Sequence, residues 1–138
     1  LDAHSECIYC SPYFNAYKDF SEMMGAKTID VPLLGKEFAL DIAGIEAVIT
    51  DKTAVLFITS PNNPTGSYIP KSQVDQLMQI LPGHVLNVFD EVYYQYSDAE
   101  DYVRALPYVL SHKNVIALNS FSKPYVLAGL SIVYYYAP

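Results

Sequence analysis

Short apolar runs alternate with amphipathic stretches along the 138 residues of the chain. Runs such as residues 54–59 and 85–89 have the length and continuity of strands covered on both faces of a sheet. The predicted strands are 6–10, 27–31, 54–59, 85–89, 115–118 and 131–136, and the predicted helices are 13–24, 41–49, 70–81 and 99–111. This alternation predicts an α/β fold in one domain, residues 1–138, with a mostly parallel sheet between two helical layers.

Several residues that cap or break helices support these boundaries. Gly25 is a candidate C-cap, and Asp41 a candidate N-cap. Pro70 suits the first turn of the helix that follows it. Pro107 lies inside the predicted helix 99–111 and must kink or interrupt it, because proline lacks the N–H that an interior helical position uses.

Composition narrows the range of partners. The chain is 51% hydrophobic and 17% charged, as expected of a globular protein, and its net charge is −7. An acidic chain is a poor match for nucleic acid or an anionic membrane, which select clustered Lys and Arg. No apolar run is long enough to span a membrane. The first residues have neither the basic nor the apolar region of a signal peptide, so we expect a cytoplasmic protein.

The two cysteines, Cys7 and Cys10, form a C-x-x-C motif. The motif is compatible with a redox pair or with half of a zinc site, but zinc needs about four ligands and there is no second cysteine pair. A redox motif should open a helix after a strand, whereas Pro12 follows here. We therefore interpret the cysteines as two buried thiols and expect no metal site.

Polar residues follow three of the predicted strands. Asn62 and Asn63 follow the strand 54–59, Asp90 follows 85–89, and a segment with Ser120 and Lys123 follows 115–118. The ligand crevice of an open α/β sheet lies outside the carboxyl ends of its strands. If these strands are parallel neighbours, an amine, a carboxylate, amides and hydroxyls face one crevice.

Such a set suits pyridoxal phosphate (PLP), which needs a lysine to form a Schiff base with its aldehyde and an acid beside its ring nitrogen. Nearby hydroxyls and loop amides could bind the phosphate. Taken singly, Lys123 could equally be a solvated surface charge and Asp90 an ordinary capping residue. Spacing alone leaves both interpretations open.

Three motifs together resemble the fold-type I PLP-dependent aminotransferases, and within them the histidinol-phosphate aminotransferase branch. They are Pro61-Asn62-Asn63-Pro64-Thr65-Gly66, then Asp90-Glu91-Val92-Tyr93, then Ser120-Phe121-Ser122-Lys123 with Leu127-Ala128-Gly129-Leu130. Their order and distances agree with the family, and the resemblance covers essentially the whole chain. It implies that residues 1–138 are part of the large, cofactor-binding domain of such an enzyme.

The resemblance implies three catalytic residues, Lys123, Asp90 and Tyr93. Lys123 would bind the cofactor's aldehyde and shuttle a proton to and from the substrate. Asp90 would pair with the ring nitrogen, so that the ring remains an electron sink. Tyr93 and Asn63 would donate hydrogen bonds to the phenolic oxygen of the ring.

Further cofactor contacts follow from the same resemblance. Ser120 and Ser122 would contact the phosphate. Val92 would pack on one face of the ring, and Phe14 would stack on the other. Tyr17 would lie near the substrate.

The chain departs from the family pattern at three positions. Val126 and Val133 replace glycines, which are used where the backbone needs freedom or close approach. Ser131 replaces the arginine that holds the cofactor phosphate. An arginine makes a charge-assisted, two-pronged contact with phosphate, so we expect Ser131 to weaken PLP binding.

Family members are much longer, so the sequence is interpreted as a fragment of the large domain or a reduced gene product, inactive or weakly active by itself. The implied reaction moves an amino group between an amino acid, or an amino-alcohol phosphate, and a 2-oxo acid. These small molecules are the expected partners, and a homodimer is expected of the full enzyme of amino-acid biosynthesis. A decarboxylase on the same scaffold and a non-catalytic α/β domain are the alternatives.

Overall fold

The computed structural model describes residues 1–111 and 114–138. Within these ranges the strands are β1 (Glu6–Tyr9), β2 (Lys27–Asp30), β3 (Thr53–Thr59), β4 (Leu86–Asp90), β5 (Val115–Ser120) and β6 (Val133–Tyr136). The α-helices are α1 (Ala16–Met23), α2 (Ile42–Val48), α3 (Lys71–Ile80) and α4 (Leu106–Ser111). Short 3₁₀ turns lie at Tyr94–Tyr96 and Ala128–Leu130.

The strands form one sheet in the order β2-β1-β3-β4-β5-β6. The pairs β1–β2, β1–β3, β3–β4 and β4–β5 are parallel, and β6 runs antiparallel to β5. The predicted α/β fold with a mostly parallel sheet is therefore confirmed. The parallel strands β3, β4 and β5 are neighbours, so their carboxyl ends meet at one edge.

The core has two parts, one on each face of the sheet. On one face, Leu56 and Phe89 pack with residues of three helices, among them Ile45 of α2, Leu77 of α3 and Val109 of α4. On the other face, the buried residues Cys7, Tyr9, Ala26, Val55 and Val88 pack with partly buried aromatic residues that include Tyr17 of α1. Helices thus cover both faces, as the three-layer prediction requires.

The cap prediction is confirmed at α2, and at α1 and α3 the predicted cap residue lies one position from its expected place, since Met24 is the C-cap of α1. The Asp41 side chain accepts a hydrogen bond from the Gly44 amide at 2.9 Å and caps α2. Gly25 follows α1 with φ +83°, a left-handed conformation that glycine adopts without a Cβ clash. Pro70 precedes the first residue of α3 as its N-cap, one position earlier than predicted.

Two helix predictions need correction. The predicted helix 99–111 is wrong in its first half, because α4 begins at Leu106. Pro107 therefore lies in the first turn of α4, where its missing N–H costs nothing. The apolar residues at helical spacing in 13–24, which are Phe14, Tyr17, Phe20 and Met24, predict a stripe that faces the sheet. That prediction is partly wrong, since Phe20 and Met24 are exposed, whereas Ser21 is buried and hydrogen-bonded to the Tyr9 hydroxyl.

Both cysteines are free and buried, as predicted. Burial raises the pKa of the Cys10 thiol to about 12, because the thiolate would lose its hydration in the core. Cys10 is thus a packing residue at neutral pH. None of the helices in the described ranges is both long and apolar enough to cross a membrane.

Candidate active site

A cavity of about 550 Å³ lies at the carboxyl ends of β3, β4 and β5. Its volume is in the range of small-molecule sites. All eight residues that the sequence assigned to cofactor binding line it: Phe14, Asn63, Asp90, Val92, Tyr93, Ser120, Ser122 and Lys123. The structure therefore brings the predicted residues together, while their individual roles remain predictions.

Asp90 ends β4 and is 8% exposed. Its Oδ1 accepts the Val92 amide at 2.9 Å, and its Oδ2 accepts the Tyr17 hydroxyl. Burial raises the pKa of Asp90, an effect that these two hydrogen bonds oppose and the neighbouring charge of Glu91 reinforces. The carboxylate is thus fixed in place, and its ionised form lacks the hydration that it has in water.

Tyr17 reaches Asp90 from α1, on the side of the sheet that α1 covers. Its ring stacks on Phe57 of β3, with centroids 4.8 Å apart and planes at 14°, and it meets Phe14 edge to face at 5.9 Å. Burial, followed by the charge of Asp90, raises the pKa of the Tyr17 phenol, so the hydroxyl keeps its proton and donates a hydrogen bond to Asp90. The sequence placed Tyr17 near the substrate but did not predict this hydrogen bond.

The loop after β3 gives its two asparagines different positions. The buried Asn62 side chain donates hydrogen bonds to the Pro12 carbonyl at 2.9 Å and to the Thr65 hydroxyl at 3.0 Å. The Gly66 amide closes the turn onto the Asn62 carbonyl at 2.8 Å. Asn62 therefore holds the loop against the segment before α1, whereas Asn63 lines the cavity.

Lys123 is exposed, in the turn that follows β5. Its turn is held by the Ser120 hydroxyl, which accepts the Ser122 amide at 2.9 Å and donates to the Ile132 carbonyl at 3.2 Å. Ser131 also lines the cavity, at the position where the family pattern has arginine. The position at which the resemblance implies a phosphate contact thus lies in the cavity lining, but its side chain is the neutral Ser131.

Glycine would suit one of the two positions where valine replaces it in the family pattern. Val126 has φ +57°, in the left-handed region that β-branched residues rarely adopt. Val133 lies in the regular strand β6. The predicted need for backbone freedom is therefore confirmed at Val126.

Sequence reasoning missed two features of the site. Thr59, Leu118 and Asn119, at the ends of β3 and β5, also line the cavity. Their positions at the ends of the predicted strands 54–59 and 115–118, or directly after them, could have indicated that they line the crevice. Outside the cavity lining, the buried Glu91 carboxylate forms an ion pair with the half-buried Arg104, and no local pattern joins two residues that far apart.

Comparison with known proteins identifies the family. The family Aminotransferase class I and II matches residues 1–138. The chain is 38% identical to the histidinol-phosphate aminotransferase of Akkermansia muciniphila over 138 residues, covering all of this chain and 37% of that protein. It is 39% identical to the aromatic amino acid aminotransferase of Corynebacterium glutamicum over 129 residues, covering 94% of this chain and 38% of that protein.

The fold agrees with solved structures. The histidinol-phosphate aminotransferase of Sinorhizobium meliloti, solved in complex with PLP, superposes with a TM-score of 0.88 at 25% identity, over 99% of this chain and 37% of that one. The chain thus spans little more than a third of the length of the relatives it matches. Because the family matches the chain over its full length, this chain belongs to the class I and II aminotransferase family.

Proposed function

We propose that this chain forms the cofactor-binding part of a PLP-dependent aminotransferase, with Lys123 and Asp90 as its principal cofactor contacts. One observation carries the proposal: Lys123 and the buried Asp90 line the same cavity. That cavity lies at the carboxyl ends of parallel strands, where open α/β sheets bind ligands.

The environment of Asp90 supports a cationic ligand. In the described part of the chain, the carboxylates that form salt bridges are Glu6, Glu22, Asp75 and Glu91. Asp90 is as buried as Glu6, but its partners are the Tyr17 hydroxyl and the Val92 amide, and none of these salt bridges includes it. A protonated ring nitrogen in the cavity would offset the cost that burial imposes on its charge. The residues present therefore fit the cofactor.

PLP, when bound, supplies an aldehyde that accepts amino groups and a ring that withdraws electrons. Asp90 would accept the hydrogen bond of the ring N–H and keep that nitrogen protonated. Tyr93 and Asn63 would donate to the phenolic oxygen. The Nζ atom of Lys123 would hold the aldehyde carbon and, after release, move a proton from the substrate's α-carbon.

The remaining residues of the cavity would position the cofactor. Val92 and Phe14 would pack against the two faces of the ring, and the Ser120 and Ser122 hydroxyls would contact the phosphate. In the full-length protein, the amino group would pass from an amino acid or amino-alcohol phosphate to a 2-oxo acid. The names of the relatives support a substrate of the histidinol-phosphate or aromatic amino acid class.

PLP titration followed by absorbance tests the proposal. We expect Asp90→Asn to weaken PLP binding by about tenfold or more, because a charged hydrogen bond contributes roughly 1.5–3 kcal/mol. Asp51→Asn is the matched control, because Asp51 is exposed in the turn before β3, at the opposite end of the sheet. Equal PLP affinity in the Asp90 variant, the control and the parent chain would contradict the proposal.

A further inference from the structure

The carboxylate next to Asp90 in the chain is almost completely buried. Glu91, the residue after β4, is 1% exposed, and its carboxylate contacts the segment before α4, whereas Asp90 contacts Tyr17 of α1. Arg104 Nε lies 3.1 and 3.2 Å from the two Glu91 carboxylate oxygens, and the terminal nitrogen of Arg104 lies 3.1 Å from Oε1. This two-pronged geometry is the strong form of an arginine–carboxylate pair.

Glu91 joins four segments of the chain. Its carboxylate also accepts the Ala105 amide and, at 3.3 Å, the Asn119 side-chain amide of β5. Its backbone N–H donates to the Leu118 carbonyl at 2.9 Å, and its carbonyl accepts the Tyr94 amide at 2.9 Å. The end of β4, the turn at Tyr94, the segment before α4 and the end of β5 therefore meet at one residue, through its carboxylate and its backbone.

Two of these segments carry the candidate site. Asp90 and Val92 flank Glu91, and Ser120 follows Asn119. The Arg104 guanidinium also lies 3.3 Å from the centre of the Tyr94 ring, which fixes it over the turn after β4. Arg104 itself is not among the described residues that line the cavity. Its contacts reach the site only through Glu91 and Tyr94.

We infer that Arg104 is a positioning residue of the candidate site: its ion pair with Glu91 holds together the two strand ends that carry Asp90 and Ser120. Without Arg104, the Glu91 carboxylate is a buried charge without its cation, directly beside a second buried carboxylate. A charge left in that state is strongly unfavourable, and the two strand ends can relieve it by separating to admit water. The inference rests on the proposed cofactor site.

Lys27 and Glu6 provide a matched control at the other end of the sheet. Glu6, 7% exposed at the start of β1, accepts a hydrogen bond from the Lys27 amine at 2.9 Å. Arg104→Met and Lys27→Met thus each remove the salt-bridge partner of a buried carboxylate. Both are expected to lower the free energy of unfolding, but only Arg104→Met acts at the cavity.

Amide hydrogen exchange in the cofactor-free chain gives the first readout. The Val92 amide donates to Asp90, and the Ser122 amide donates to Ser120. We expect Arg104→Met to speed exchange at these two amides by about tenfold relative to the Leu56 amide in β3, and Lys27→Met to leave that ratio unchanged. The milder Arg104→Lys keeps the charge, should show the same local effect at smaller size, and supplies the test if Arg104→Met does not fold.

PLP affinity gives the second readout. Arg104→Met is expected to raise the Kd for PLP by about tenfold, and Lys27→Met to leave it unchanged. Equal exchange ratios at Val92 and Ser122 in the two variants, or equal PLP affinity in both, would overturn the inference while leaving the proposed function intact. A parent chain that binds no PLP but shows the local exchange difference would defeat the proposed function and support the positioning role of Arg104.

Discussion

Replacing Val126 with glycine should stabilise the protein, although it removes a hydrophobic side chain. Val126 has φ +57° and is 87% exposed. The left-handed conformation costs an L-residue roughly 1–2 kcal/mol. Glycine avoids that cost but loses about 0.5–1 kcal/mol through the greater freedom of its unfolded chain. Because little burial is lost, the free energy of unfolding should rise by roughly 0.5–1 kcal/mol.

Urea denaturation followed by circular dichroism measures the change, as a shift of the midpoint at constant slope. Val133→Gly is the matched control, since Val133 is 73% exposed in the regular strand β6, where glycine is unfavourable. The two valine-to-glycine substitutions are therefore expected to change stability in opposite directions. A Val126→Gly variant that is no more stable than the parent chain would refute the assignment of backbone strain to this position.

Four further substitutions test separate contacts of the site. Ser131→Arg should tighten PLP binding by about 1–3 kcal/mol, because a charged phosphate contact is restored; unchanged affinity in a PLP titration would mean that Ser131 does not face the phosphate. Tyr17→Phe removes a hydrogen bond that lowers the pKa of Asp90, a pKa that burial already raises. A raised carboxyl pKa contributes stability below about pH 3.9 that is lost as pH rises through the folded-state value. The unfolding free energy of Tyr17→Phe, measured in urea, should therefore fall further below that of the parent at pH 7 than at pH 4, and a constant difference would argue against the Tyr17–Asp90 contact. Asn62→Ala should destabilise the chain by roughly 1–2 kcal/mol through its two lost hydrogen bonds, whereas Asn63→Ala should mainly reduce PLP affinity. A loss of PLP affinity in Asn62→Ala and a loss of stability in Asn63→Ala, measured by titration and thermal melts, would reverse the roles of the two asparagines.

Much of this arrangement follows from the sequence because strand ends are local features. Continuous apolar runs predicted β3, β4 and β5, and parallel neighbours necessarily bring their carboxyl ends to one edge. Polar residues directly after those runs, such as Asn63 and Asp90, then had to lie close together. The capping role of Asp41 followed in the same way from its position before an apolar helix.

Contacts between distant segments were beyond local patterns. The Tyr17–Asp90 hydrogen bond joins residues 73 positions apart, and the Glu91–Arg104 pair depends on where the segment before α4 crosses the sheet. The predicted burial of the apolar stripe on α1 was partly wrong because helical spacing shows which residues share a face, but not whether another element covers that face. Phe20 and Met24 are exposed in this chain for that reason.

Reduction with borohydride in the presence of PLP tests the central assignment most directly. The reagent fixes PLP covalently to the amine that holds its aldehyde, and peptide mass spectrometry then locates the modified lysine. Lys52, which is exposed and lies in the turn before β3, is an internal comparison for non-specific reaction. We predict a phosphopyridoxyl adduct on Lys123 in preference to Lys52. No adduct, or an adduct spread equally over the exposed lysines, would contradict it.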